Sequence, residues 1–444
     1  MAHRQRGSKP KFETGVPGLF CHPIPFALRR GDGEKDGARK RWFGLQGAVM
    51  KIGKWARWTL AAAPLLLAGC GNFWQTPYTG NGGCTTNCPT TGSGNFYVMN
   101  EGTDQIAGYN IASGGTLTAL SGSPYTLSAK PLSITISPGG GILYVGTAAG
   151  IYVYTIDSSS GALSVANNGS VISTDLAGTL QIDPSGSWLV DSGPGLSDVF
   201  AISIDPSTGL LATNTEQHFN LPAATAQQLQ ISSDGAYVFV AMGTNGTAVI
   251  PFNSGNADPF GNTYIRIPVK RNGGSALSVA IDPQTRVFYV GETLASTGND
   301  PAGLRVFDYA SLTSTLSELS GSPFATKGLQ PAAILPDSSG TYVYVANGLG
   351  SGSAGNIAGF TLTTSSSSVS GLTAGSTVAT GTQPVGLAED STGTYVLAVS
   401  SGGDPDLAAF SFDSTTLGKL DSVLTASTGT DPVAASAIVA VPGS

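Results

Sequence analysis

The chain has 444 residues with 61 Gly, 26 Pro and only 11% charged side chains, a balance that suits many short strands and tight turns and excludes long charged amphipathic helices. Its formal charge of −7 is unevenly placed: 13 of 21 Lys/Arg lie at or before Arg57, and after Cys70 there are 8 Lys/Arg against 24 Asp/Glu, a net of −16. An acidic body without Lys/Arg clusters excludes nucleic-acid binding and gives a self-repelling surface.

Residues 1–49 are basic and show no sustained helical or strand period, so they read as a mis-called extension upstream of a start at Met50, the alternative being a disordered arm. From Met50 the chain carries Lys51, Lys54 and Arg57, then an apolar run over 59–68, then Gly69 and Cys70. A positive start, a short apolar stretch and small residues before the cut form an export signal over 50–69, too short to span a bilayer as a helix. Leu67-Ala68-Gly69-Cys70 resembles the lipobox of bacterial lipoproteins. The resemblance implies acylation of Cys70, cleavage before it, and a membrane anchor of two or three chains, since one chain alone holds only marginally. Gly71 in place of Asp implies onward passage, so an extracytoplasmic location at the outer membrane or periplasm of a Gram-negative cell is expected. Residues 70–94 are rich in Gly, Thr and Asn and read as a flexible tether, in which Cys84 and Cys88 can pair under oxidising conditions.

The remainder, 95–442, repeats itself. Tyr97, Tyr144, Leu189, Phe239, Tyr289, Tyr344 and Leu397 follow one another at spacings of 45 to 55 residues. Before most of them stands a turn such as Asp183-Pro184-Ser185-Gly186 or Asp337-Ser338-Ser339-Gly340, in which Asp or Pro presets the bend and Gly supplies positive φ. Before each turn lies a run of period two, for example Leu132, Ile134 and Ile136, which marks a strand. A second hairpin follows each anchor, as at 109–117, 154–163, 202–211, 307–316 and 410–420, with degraded copies at 249–264 and 357–372. Four strands per unit and seven units predict an all-β fold, a seven-bladed β-propeller of four-stranded blades. The first unit lacks an inner strand and the last segment, 432–441, has no hairpin after it, so pairing of the N- and C-terminal strands is expected to close the ring.

The phrases Leu120-Ser121-Gly122-Ser123-Pro124 and Leu319-Ser320-Gly321-Ser322-Pro323 resemble those of the lactonase family of seven-bladed propellers, as do the stretches 137–145, 182–190 and 154–163. That family includes 6-phosphogluconolactonases and carboxymuconate cyclases, and the resemblance covers about residues 95–441. It implies ring-opening hydrolysis of a lactone. Its members often begin the inner strand Pro-His, whereas here Leu132, Ala332, Val385 and Val433 follow the proline.

Ligands of propellers gather on the face that carries the loops between second and third strands and the connections between blades. Lactone hydrolysis needs a base to activate water and a donor for the developing oxyanion. Glu292, just past a strand in a long loop, is the candidate base, and His218, the one histidine after Cys70, the candidate acid. Lys270 and Arg271 can hold a carboxylate or phosphate, with Glu101 and Lys327 as further binding candidates. Asp404 and Asp406 make a weak Ca²⁺ pattern. No Gly-rich phosphate loop, nucleophile elbow or paired Cys/His spacing is present, so no cofactor or metal is expected. Two readings follow: a lipid-anchored monomeric lactone hydrolase, or a non-catalytic binding or scaffold propeller that recognises an envelope glycan, peptide or protein. An extracytoplasmic address argues against a phosphorylated sugar lactone, which is a cytosolic metabolite.

Overall fold

Each of the seven anchor residues lies in a strand and is at most 1% exposed. The computed structural model describes residues 94–443 apart from 170, 172–176, 194–196, 213, 222–224, 294–301, 349–353, 366–367, 403–404 and 427–434. The expected export signal over 50–69, Cys70, Cys84, Cys88, Asp404 and Val433 lie outside the described residues.

The fold is an all-β propeller, but the expected seven separate four-stranded blades are not what forms. Five sheets stand as separate blades, and a sixth sheet of seven strands takes the rest of the described chain. The first blade orders Ala435–Ala440, Gly94–Asn100, Gln105–Ile111 and Leu117–Ala119, with Tyr125–Thr126 also on Gln105–Ile111. The second runs Pro131–Ile136, Ile142–Thr147, Gly150–Ile156 and Leu163–Val165, and the third Thr179–Ile182, Trp188–Ser192, Asp198–Ser203 and Gln217–Asn220. The fourth holds Gln228–Ile231, Tyr237–Ala241, Thr247–Pro251 and Ile265–Ile267, and the fifth Ser275–Ile281, Val287–Thr293, Gly303–Asp308 and Phe324–Ala325.

The large sheet runs from Gln330–Pro336 to Leu420–Ala426 through Ser368–Glu389, a strand of 22 residues. The early part of that strand pairs with Ala354–Ser365 and its end with Tyr395–Gly402, Thr382 facing both Ala354 and Gly402. The physical reason is the lack of a breaker. Connections at 120–124 and 319–323 end in Ser-Pro, whereas 368–383 contains no proline, and its four Thr and two Val favour extended backbone despite three Gly.

The two ends of the propeller pair. Gly94–Asn100 lies antiparallel to Ala435–Ala440, with Phe96 facing Ala440 and Val98 facing Ile438. Ala435–Ala440 packs beside Pro131–Ile136, which packs beside Thr179–Ile182, and so on around an axis through Gln228–Ile231, Ser275–Ile281 and Gln330–Pro336. Ser368–Glu389 neighbours both Gln330–Pro336 and Ala435–Ala440, which completes the circuit.

The turns use the chemistry that their sequence announces. Asp183 accepts from the backbone N–H of Ser187 and Trp188 at 2.8 and 2.6 Å, and Asp390 accepts from Thr394 and Tyr395 at the same two distances. Ser232 fills this place with its hydroxyl, accepting from Ala236 and Tyr237. Burying these carboxylates is tolerable because each has its donors. Two anchor tyrosines fasten one blade to the next: Tyr97 Oη donates to Gly161 O at 2.6 Å and Tyr144 Oη to Gly209 O at 2.7 Å. Gly209 needs its missing Cβ twice over, since its φ is +70° and a Cβ would stand 2.8 Å from Ile142. Between the sheets the core is aromatic and aliphatic, with Phe239 4.9 Å from Phe288 and Phe288 stacked on Phe307 at 5.0 Å.

Candidate functional site

Three residues beyond each anchor, at or within two residues of the loop-bearing end of the second strand, stand Asn100, Thr147, Ser192, Met242, Glu292, Asn347 and Ser400 in turn. All seven are 3% exposed or less. A polar group buried there must find partners, and those partners are the loops and connections that meet at this end. Thr147 Oγ1 donates to Gly150 O at 2.8 Å, Ser192 Oγ to Asp198 O at 3.0 Å, and Asn347 Nδ2 to Thr326 O at 3.0 Å.

Glu292 is the one acidic side chain of this series, and it lies inside the strand Val287–Thr293 rather than past its end. It is fully buried. One carboxylate oxygen accepts from Arg305 Nη1 at 2.8 Å and the other from the backbone N–H of Lys270 at 2.9 Å. Arg305, on the neighbouring strand Gly303–Asp308 and 5% exposed, is held on every side. Its Nη1 also donates to Pro268 O at 2.8 Å, its Nε and Nη2 reach the two oxygens of Glu318 at 3.0 Å each, and its guanidinium lies 4.8 Å from the Phe307 ring. Lys270 Nζ and Ser322 Oγ add bonds to Glu318, both at 2.8 Å. Burial pushes the Glu318 carboxyl up, but the bonds from Arg305, Lys270 and Ser322 outweigh it and bring it down to about 2. Burial also opposes the Arg305 charge, and the bonds to Glu318 and Glu292 more than restore it.

This arrangement ties the connection at 268–270 to the second and third strands of the fifth blade. Each Glu292 oxygen has a donor and the side chain is 1% exposed, whereas a base that activates water must have that water within hydrogen-bond reach.

The structure therefore brings Glu292 and Lys270 together and leaves the other candidates apart. Arg271 is exposed in the same connection. Glu101 pairs with Lys130 at 2.6 Å, both well exposed, so the contact is screened. Lys327 sits at φ +59° and its Nζ donates to Gly375 O at 3.2 Å. His218 is exposed on Gln217–Asn220, the outermost strand of the third blade, with its ring 6.2 Å from that of Phe200. It is on a different blade from Glu292 and at the rim of the sheet, a poor place from which to protonate a leaving group above the axis. Asp406 is 2% exposed, and among the described residues no three His, Cys, Asp or Glu side chains gather as metal ligands do.

The partners that sequence reasoning missed are Arg305 and Glu318. One signal was available: with only 8 Lys/Arg after Cys70, an arginine in the strand phrase 303–308 is unusual enough to demand a carboxylate.

Comparison with known proteins fixes the fold and nothing finer. No family model and no curated protein matches the sequence. Among solved structures, the periplasmic gluconolactonase of Pseudomonas aeruginosa aligns with a TM-score of 0.62 at 18% identity, covering 79% of this chain and 99% of that one. A proposed 6-phosphogluconolactonase of Bacteroides fragilis aligns with a TM-score of 0.62 at 16% identity over 80% of this chain and 99% of its own. A protein of Lactobacillus plantarum aligns with a TM-score of 0.60 at 15% identity over 79% and 99%. The chain thus has a lactonase-like β-propeller fold.

Proposed function

We propose that this chain is a lipid-tethered, extracytoplasmic propeller whose loop-bearing face binds a small molecule or envelope component without turning it over. The observation that carries the reading is the state of Glu292. Each of its oxygens takes a bond, from Arg305 and from the Lys270 backbone, in a place where Asn347 of the next repeat bonds its own incoming connection and Thr147 and Ser192 bond the segment after their own strand. A carboxylate in that position is a fastener. The export signal and the Leu-Ala-Gly-Cys phrase support the tether and the address.

The second reading, hydrolysis of a lactone, is favoured by fold neighbours described as a gluconolactonase and a proposed 6-phosphogluconolactonase. Fold carries this only weakly, because propellers host many functions.

A panel of lactones presented to the purified protein separates the two. The binding reading expects no release of hydroxy acid above the uncatalysed rate and a saturable affinity for at least one envelope component or small molecule. Turnover of any lactone with ordinary enzyme kinetics would replace it with the hydrolase reading.

A further inference from the structure

Five innermost strands of this propeller share one irregularity, which Thr179–Ile182 and Gln228–Ile231 lack. Pro131 faces Thr147 and Ser133 faces Gly146, so Leu132 has no partner across the ladder. The same extra residue recurs as Leu277, between Ala276 facing Glu292 and Ser278 facing Gly291. It recurs again as Ala332, Val385 and Ser436. A one-residue bulge bends its strand and re-aims a side chain. Here it stands at the end of these five inner strands nearest the loop-bearing face, opposite the last residues of the second strand.

The flanking side chains are committed elsewhere. Ser133 Oγ donates to Ala177 O at 2.6 Å and Ser278 Oγ to Pro331 O at 2.7 Å, both reaching sideways to the next inner strand. Gly146 and Gly291 make room, since a Cβ on either would stand within 2.5 Å of those serine oxygens. Leu132 and Leu277 remain half-buried on the strands that surround the axis, and they belong to none of the apolar clusters packed between the sheets. Ala332 is likewise half-buried and outside those clusters, while Val385 is partly packed against one of them.

We infer that the bulge residues Leu132, Leu277, Ala332 and Val385 form an apolar collar at the mouth of the space enclosed by the inner strands, and that this collar takes a neutral ligand with an alkyl portion. This deepens the binding reading above and rests on it. Charge argues for neutrality. Lys130 and Lys270 on this face are already paired with Glu101 and Glu318, and the chain after Cys70 carries a net −16, which repels anions. Apolar side chains hold alkyl groups through area removed from water and give a polyol nothing in exchange for its lost hydration.

The test is ligand-observed NMR titration of the full chain in detergent-free buffer with octan-1-ol, γ-nonalactone and D-glucono-1,5-lactone. Both alkyl probes should bind, and the polyol lactone at least tenfold more weakly. The double variant Leu132→Asn, Leu277→Asn should raise the Kd for octan-1-ol about tenfold or more, with an unchanged circular dichroism spectrum. Should that variant misfold, Ala332→Leu gives an independent reading, since filling the collar should shift preference from octan-1-ol to butan-1-ol. Octan-1-ol has no bond to hydrolyse, so it decides the collar alone. Turnover of γ-nonalactone would change the reading of the face and leave the collar standing. Failure of octan-1-ol to bind, equal affinity for the polyol lactone, or folded variants with wild-type Kd and chain-length preference would each overturn the inference.

Discussion

Glu292 and Asn347 occupy the same place in consecutive repeats, three residues beyond Tyr289 and Tyr344, and each bonds the connection that leads into its own strands. Glu292 accepts from the Lys270 N–H at 2.9 Å; Asn347 donates to Thr326 O at 3.0 Å. The shared role is to pin the incoming connection to the end of the second strand, and the difference is that the glutamate brings a charge that Arg305 must balance.

Removing that charge should therefore be felt in stability. Glu292→Gln keeps the size and leaves Arg305 with one anionic partner fewer in a buried place, a change of the class that costs roughly 3–5 kcal/mol. Urea denaturation of the single variant should show a clearly lowered midpoint. Glu292→Leu combined with Arg305→Met should lose less than the two single changes added together, because the pair is removed together while Glu318 keeps Lys270 and Ser322. Additive losses would mean that the pair is not energetically coupled.

Asn347→Ala removes donors to Thr326 O, Val345 O and Asn356 Oδ1. Buried acceptors left without their donor cost about 1–3 kcal/mol. The expected readout is a lowered thermal midpoint without change in the spectrum of the folded state.

Acid stability should carry the mark of Glu318. Its carboxyl titrates near 2 in the folded protein, below the value of an unfolded chain, so unfolding takes up protons. The stabilisation is full above the unfolded value of about 4.3 and is lost as pH falls through 2. Melting temperatures of wild type should fall more steeply than those of Glu318→Gln between pH 4.5 and 2. Parallel curves would show that the carboxylate contributes nothing to the acid limb.

Much of this was legible in the sequence. The anchor spacing located the second strands because a large residue facing a neighbouring sheet must recur once per unit, and Tyr97 and Tyr144 prove to be the residues that reach across. Turn phrases located the strand ends because Asp183 and Asp390 cap their turns with their own side chains. The seven-blade count did not carry over into seven sheets, because nothing in 368–383 halts extended pairing and periodicity cannot see a strand that runs on. The environment of Glu292 was hidden for a different reason. Arg305 is 13 residues away in sequence and meets it across the ladder of Val287–Thr293 and Gly303–Asp308, so the pair becomes visible only once the register is known.

The tether is tested by address. Cys70→Ser removes the thiol that the lipobox resemblance marks for acylation. Fractionated cells should show wild type in the membrane and the variant released or unprocessed. A variant still retained in the membrane contradicts the anchor.

The most direct measurement of the central claim is lactone hydrolysis by wild type and Glu292→Gln side by side, with folding of both checked by circular dichroism. If Glu292 is a fastener, neither protein produces hydroxy acid above background and the variant differs only in stability. Turnover by wild type that disappears in a folded Glu292→Gln would make Glu292 a catalytic group and contradict the account.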